Sequence, residues 1–400
     1  MKKILFVAEA VSLAHVARPS ILARSLDREK YEVVFASNEQ FKICTENSDW
    51  QTYPVESISP ELFMQRLAKG QPVYTEHELA AYVAADIRML EAVRPDAVVG
   101  DFRLSLAIAA RLLKVPLFII CNAYWSAFAA DQRMHAPDLP AAKIIGFPIF
   151  DRVFRLVWPF ASRLHCIPIN RVRKKYGFKP YRSIREYYGD GDVVMYSDTP
   201  GLVPATANLP PTHHYIGPIV WSPSMALPAW WAEAMAIERP RAYITLGSTG
   251  SVDLLPEIVA ACLEEGLLCL VATAGRGQYT SDSPWVFTAP FLPGDLAAAA
   301  ASLVICNGGS PTTHQALQQG VPVLGICSNL DQVMNMSGIK RSGAGIGMRA
   351  GEFSRSGARK VISILQGGSY FKFKTSALAL DFNLLNSAQQ FTQLLARYTA

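Results

Sequence analysis

The chain has 400 residues, half of them apolar and 18% charged, which excludes a disordered polypeptide and allows two domains of ordinary size, each with its own core. A formal net charge of +5 is modest, no nucleic-acid reader motif accompanies it, and no apolar run reaches the roughly 20 residues of a spanning helix. The seven cysteines are scattered, odd in number and without a CxxC pair, so they read as reduced buried thiols in a reducing compartment, with no structural metal.

Lys2 to Ala8 reads as a buried strand. Glu9 interrupts the apolar run behind Met1-Lys2-Lys3, so no signal peptide is read and the expected location is cytoplasmic. Ser12 to Leu26 carries apolar residues at helical spacing, and Tyr31 to Ala36 is the next strand. This β-α-β opening starts a doubly wound sheet, in which ligand sites lie beyond the carboxyl ends of the strands. His15 falls at such an end. Pro95 to Asp101 is a further strand that closes on a carboxylate, followed by a helix over Leu104 to Leu113 and a strand over Pro116 to Cys121. By themselves, His15 reads as a capping or surface histidine and Asp101 as a strand-end carboxylate.

Residues 143–185 hold eleven Lys or Arg and one acid, Asp151, interleaved with Phe147, Phe150, Phe154, Trp158 and Phe160. Such a segment either lies on an anionic membrane surface or packs its aromatics inward and leaves a solvated basic rim. Asp190-Gly191-Asp192 has the Asp-x-Asp spacing of a metal-holding pair, but it precedes the apolar run Val193 to Tyr196, where a turn is the better reading. Tyr215 to Ile219 closes the first domain, and residues 218–240, rich in Pro and Trp, read as a linker.

The second half repeats the design. Arg241 to Leu246 is a strand ending at Gly247-Ser248-Thr249-Gly250-Ser251, a turn compatible with phosphate, before a helix starting near Pro256. Strands follow over Leu267 to Thr273 and Trp285 to Ala289. Leu303 to Cys306 is a short buried strand stopping at Asn307-Gly308-Gly309, where glycine permits positive φ and close approach of a ligand to main-chain N–H groups. Pro311 suits a first helical turn, so Thr312 to Gln319 reads as a helix whose positive end faces the glycine turn, an arrangement suited to phosphate. Gly320-Val321-Pro322 ends it and Val323 to Ile326 is the next strand; residues 376–400 are helical in pattern.

The full pattern is more specific than any one turn. Gly308, Gly309, Thr312, Thr313, Ala316, Leu317, Gly320, Val321, Pro322, Asp331, Gln332 and Asn335 stand in the register of the donor-sugar signature of inverting glycosyltransferases. The chain resembles that family, which includes the UDP-glucuronosyl and UDP-glucosyl, plant secondary-metabolite and macrolide enzymes. His15 and the Pro-Asp-x-x-Val-x-Asp strand ending at Asp101 match the same family, although Ala14 replaces its usual glycine.

The resemblance implies the GT-B fold: α/β, with two Rossmann-like doubly wound domains facing across a cleft. It places an acceptor-binding domain at 1–217, a linker at 218–240, a nucleotide-sugar-binding domain at 241–375 and a tail at 376–400 that packs back on the first domain. It implies transfer of a hexose from a UDP- or dTDP-sugar to a hydroxyl of a small-molecule or lipid acceptor, with inversion and without metal or cofactor. His15 would take the acceptor proton and Asp101 would orient it. Gly247, Ser248, Asn307, Gly308, Gly309 and Thr312 would meet the diphosphate, Phe291, Leu292 and Gln315 the nucleoside, and Asp331 and Gln332 the sugar. Peripheral contact with the inner face of the membrane would run through residues 143–185.

Three departures qualify the match. Asn307 replaces a histidine, Pro311 removes one N–H, and Gln315 replaces the glutamate that accepts both ribose hydroxyls. The neutral amide weakens the demand for a 2′-hydroxyl, which makes a dTDP-sugar as suitable as a UDP-sugar. The same departures motivate the rival reading, a non-catalytic relative that binds a nucleotide sugar or lipid as a partner subunit. A nucleotide-sugar 2-epimerase on this architecture fits the Asp331-Gln332 pair and the surroundings of His15 poorly.

Overall fold

The computed structural model describes residues 1–46, 48–223 and 225–399, without the side chains of residues 140 and 143. Lys143, one of the eleven basic residues of 143–185, therefore has a side chain outside the described residues. The chain divides into two compact units, one of residues 1–134, 152–219 and 385–400, the other of residues 135–151 and 220–384.

Each unit is built on one parallel sheet. In the first, strands β1 (Lys2–Ala8), β2 (Tyr31–Ser37), β3 (Gln51–Pro54), β4 (Ala97–Asp101), β5 (Leu117–Cys121), β6 (Val193–Tyr196) and β7 (His213–Tyr215) lie in the order β3-β2-β1-β4-β5-β6-β7. In the second, β8 (Arg241–Thr245), β9 (Leu268–Ala272), β10 (Val286–Ala289), β11 (Leu303–Cys306), β12 (Val323–Cys327) and β13 (Gly345–Arg349) lie in the order β10-β9-β8-β11-β12-β13. Counted from its own first strand, the second sheet repeats the 3-2-1-4-5-6 order of the first. Helices flank both sheets, so β1, β4, β5, β8, β9, β11 and β12 are apolar and buried on both faces, as parallel strands require. In this topology the connections part in opposite directions between β1 and β4 and again between β8 and β11, which opens a crevice at the carboxyl ends of those strands.

The last helix, Ser387–Tyr398, belongs to the first unit. Phe391 meets Phe6 of β1 edge-on at 5.9 Å, and Tyr398 meets Phe118 of β5 in the same manner at 5.9 Å. The preceding helix, Ser369–Leu384, belongs to the second unit. The residues read as one helical tail are thus two helices that separate at Leu385 and Asn386.

On β7, His213 Nδ1 lies 2.6 Å from the hydroxyl of Tyr196 at the end of β6, and burial pushes the His213 imidazole down to about 4. The unfolded chain takes up this proton near pH ~6.5, whereas the folded chain resists it until about pH 4. Stability linked to His213 is therefore full above ~6.5 and is lost as pH falls toward 4. Urea denaturation between about pH 7 and about pH 4.5 should show this decline, and His213→Gln should flatten it; an equal slope in the variant contradicts the assignment.

Candidate active site

In the first unit the helix Leu13–Arg24 starts just beyond β1, which carries His15 to the carboxyl end of the sheet beside Asp101, the last residue of β4. His15 Nδ1 lies 2.8 Å from Asp101 Oδ1. The Phe102 ring stacks on the imidazole at 4.6 Å and 14° between planes. Phe102 takes φ +58° to present that ring, a conformation that costs a non-glycine residue about 1–3 kcal/mol and is characteristic of functional turns. Arg18 Nη2 also approaches Nδ1, at 3.2 Å; the shorter approach of the buried carboxylate assigns the Nδ1 proton to that bond, which makes Nε2 the basic nitrogen. No bond to it is formed among the described residues, and its side chain keeps 19% exposure.

Asp101 has a second partner that sequence reading did not single out. Arg18, one helical turn after His15, donates through Nε to Oδ2 and through Nη2 to Oδ1, both at 2.7 Å. Its Nη1 reaches Asn122 Oδ1 at 2.8 Å and Ser197 Oγ at 3.2 Å. Burial opposes the Arg18 charge, and the Asp101 carboxylate more than offsets that cost. Because Arg18 already neutralises Asp101, the carboxylate acts on His15 chiefly by fixing the ring and its tautomer. The i, i+3 spacing of His15 and Arg18 on one helix face was the available signal. Asn122 and Ser197, each just beyond a strand end, gave none.

In the second unit three turns meet at the carboxyl ends of β8, β11 and β12. Asn307 donates from Nδ2 to Thr249 Oγ1 at 3.0 Å, and its Oδ1 accepts the Gly309 N–H at 3.0 Å. Gln332 donates from Nε2 to the same Thr249 hydroxyl at 3.1 Å. Ser251 and Ser328 hydroxyls join the outer edges at 3.0 Å. Thr249 thus accepts from two amides, which leaves its own O–H to donate outward.

The helix runs Ser310–Gln318 with Gly309 as its N-cap, starting two residues before the expected Thr312. Pro311 has no N–H, so the first-turn amides without an intrahelical acceptor are those of Ser310 and Thr312. Gly308 N–H points to Cys306 Sγ at 3.3 Å, so the amides of Gly308 and Gly309 are held within the turn itself. Asn335 pins the turn from below, donating from Nδ2 to Gly308 O and to Thr313 Oγ1, both at 2.8 Å. Gly308 has φ +82°, and a Cβ there would come within 2.8 Å of Cys327 Sγ and of Met336 Cγ. Gly308→Ala is therefore expected to destabilise the protein by about 2–4 kcal/mol through overpacking and backbone strain, read by urea denaturation. Wild-type stability in the variant contradicts this account of the turn.

Arg276 is a further residue not anticipated. It follows β9 and donates through Nη1 to Gly250 O at 2.6 Å and Gly247 O at 3.4 Å, which sets a guanidinium charge against the β8 turn. Ser248 is exposed at the tip of that turn.

Phe291 packs within van der Waals reach of Gly275, whereas Leu292 is buried. Gln315 is buried; its Nε2 donates to Trp221 O at 2.7 Å, and its side chain fills the space in front of Gly294. Only one neutral acceptor, Oε1, remains. Asp331 stands half-exposed in the first turn of the helix Leu330–Ser342. Its neighbour Gln332 is buried, and its Oε1 accepts the Ser328 and Asn329 N–H groups at 2.8 and 3.3 Å. Gln332 spends its amide fixing the turn that presents Asp331.

Asp190 and Asp192 are employed elsewhere. Asp190 is bound by Arg111, Arg173 and Tyr181, and Asp192 accepts the Leu117 N–H at 2.9 Å. This is the turn expected from the sequence. The basic segment also proves to be heterogeneous. Arg173 and Arg185 are buried, and Arg171 and Lys175 approach Glu76 at 3.4 and 2.8 Å. Only part of the charge faces solvent.

No protein-family model matches the chain. It is 40% identical over 382 residues to a PGL/p-HBAD biosynthesis glycosyltransferase of Mycobacterium tuberculosis, spanning 95% of this chain and 89% of that one. The chain belongs to the PGL/p-HBAD biosynthesis glycosyltransferases. A PGL/p-HBAD biosynthesis rhamnosyltransferase of Mycobacterium bovis is also 40% identical, over 371 residues that span 92% of this chain and 82% of that one. Among solved structures, the spinosyn rhamnosyltransferase SpnG complexed with thymidine diphosphate superposes with a TM-score of 0.67 at 18% identity, covering 99% of this chain and 100% of that one. That likeness confirms the GT-B fold expected from the sequence, and the protein is a nucleotide-sugar glycosyltransferase, as the resemblance implied. Among the described residues no helix is long and apolar enough to cross a membrane.

Proposed function

We propose that this glycosyltransferase moves a hexose from a nucleoside diphosphate sugar to a hydroxyl of a lipid or small-molecule acceptor by one displacement with inversion. The observation that carries the reading is the His15 imidazole, oriented through Nδ1 by a buried carboxylate, with Nε2 unengaged among the described residues. In the reaction Nε2 takes the acceptor proton, the acceptor oxygen attacks the anomeric carbon, and the bond from that carbon to the diphosphate oxygen breaks. Asp101 keeps the proton on Nδ1, so the ring that accepts at Nε2 is in the correct tautomer.

The first unit would bind the acceptor and the second the donor, with residues 218–240 linking them. The leaving diphosphate would be met by the Ser310 and Thr312 amides, the Thr249 hydroxyl, Ser248 and the Arg276 guanidinium around the glycine turn of 307–309. Donors fixed before the reaction stabilise charge as it develops, and in this reading they do so without a metal. Asp331 would accept from the sugar hydroxyls, and Phe291 would face the base.

The nucleoside is proposed to be deoxythymidine. Gln315 has one neutral acceptor left for a ribose, and it lacks the second carboxylate oxygen that would reward a 2′-hydroxyl. SpnG is described with thymidine diphosphate bound, and the relative from M. bovis is named a rhamnosyltransferase. Titration of dTDP and UDP by calorimetry tests this: dTDP should bind at least as tightly as UDP, and a strong preference for UDP overturns it. The reading extends to peripheral membrane contact through residues 143–185, where an acceptor of lipid character would be met.

A further inference from the structure

The helix Phe147–His165 carries three distinct faces. One face is anchored to the first unit: Trp158 packs into the cluster around Phe63, Tyr74 and Leu79, and Ser162 Oγ accepts the Ile184 N–H at 3.0 Å. At 3.6 residues per turn, Val153, Leu156, Val157, Phe160 and Leu164 fall together on the side away from that anchor. All five are exposed, Leu156 by 83% and Phe160 by 63%. Between the anchored face and this stripe, on one flank, stand Arg152 and Arg163, both exposed. The helix is thus held through Trp158 and Ser162 while its apolar stripe stays open to solvent with arginines along one border.

We propose that this stripe enters the surface of an anionic lipid bilayer, with the arginines at the level of the headgroups. The inference rests on the reading of the enzyme as a glycosyltransferase with a lipid acceptor, and it narrows residues 143–185 to one face of one helix. The choice of occupant follows from charge and shape. Arginine stems lie along apolar surface while their heads reach negative groups, and an in-plane helix needs this pairing of a ~100°-wide apolar stripe with a basic border. The exposed Lys174, Lys179 and Arg182, further along the same unit, add charge of the same sign. Buried Arg173 and Arg185 take no part.

Co-sedimentation of the full chain with vesicles decides the matter. Wild type should bind vesicles of phosphatidylcholine with phosphatidylglycerol and bind pure phosphatidylcholine about tenfold or more weakly. Leu156→Glu/Phe160→Glu should lose binding to both, and Arg152→Glu/Arg163→Glu should lose about tenfold on the anionic vesicles alone. Because all four side chains are exposed, thermal unfolding should be unchanged. The proposal is overturned if wild type does not sediment, if either variant binds anionic vesicles as wild type does, or if light scattering shows that the Leu156/Phe160 stripe instead joins two copies of the chain. Transfer to a water-soluble acceptor is measured in parallel. Its retention alongside lost sedimentation isolates the membrane role, whereas its absence in wild type sinks the transferase reading on its own.

Discussion

Replacing His15 by alanine is expected to lower turnover by about 10²- to 10⁴-fold, the usual contribution of a positioned general base. Nucleotide affinity should remain at the wild-type level, because the donor turns are assigned to the second unit. The effect follows from geometry: Nδ1 is bound at 2.8 Å to a fully buried carboxylate, so Nε2 is the nitrogen left to receive a proton. A kcat measurement at saturating donor, with calorimetric titration of dTDP into both proteins, reads the two terms separately. Unchanged turnover in the variant rejects the dyad. A loss confined to donor affinity moves the imidazole from the acceptor to the nucleotide.

Asp101→Asn should have the next largest effect, and it should appear in stability as well as in rate. Asp101 holds Arg18 through two bonds of 2.7 Å at a buried site, and removing one member of a buried pair leaves the other charge uncompensated, at a cost of about 3–5 kcal/mol. The same change removes the acceptor that fixes the His15 tautomer. A second substitution separates the two roles. Asp101→Asn/Arg18→Met should regain most of the stability, since no buried charge is then stranded, but it should not regain turnover. Urea denaturation gives the first quantity and kcat the second. Wild-type stability in the single variant contradicts the ion-pair account.

The strands that carry chemistry were legible because each is a short apolar run ending on a residue of another kind. Examples are Leu303 to Cys306 before Asn307, and Ala97 to Val99 before Asp101. β13 was not legible, because Gly345 and Gly347 interrupt its apolar pattern; Met336 packs where a side chain on Gly347 would lie. β3 is a four-residue edge strand that includes Pro54, and no pattern so short is distinctive. The start of the helix Ser310–Gln318 was misplaced because Gly309 takes the extended N-cap conformation, which brings Ser310 and Pro311 into the first turn.

His15 and Asp101 carried a signal in the sequence, but their network did not. Arg18 meets Asp101, Asn122 and Ser197 across separations of 83, 104 and 179 residues, and only the sheet order brings them together. The bond of Gln332 to Thr249 spans 83 residues, and it gives a residue matched to a sugar contact a supporting task beside its neighbour. In the basic segment, composition counted charges without distinguishing buried Arg173 and Arg185 from their exposed neighbours.

Direct displacement by a hydroxyl that His15 deprotonates inverts the anomeric carbon. Proton NMR of the first-formed product, from a donor of defined anomeric configuration and a soluble hydroxyl acceptor, tests it most directly. The product should carry the opposite anomer, and His15→Ala should form none of it on the same timescale. A product that keeps the donor's configuration rules out direct displacement by that hydroxyl.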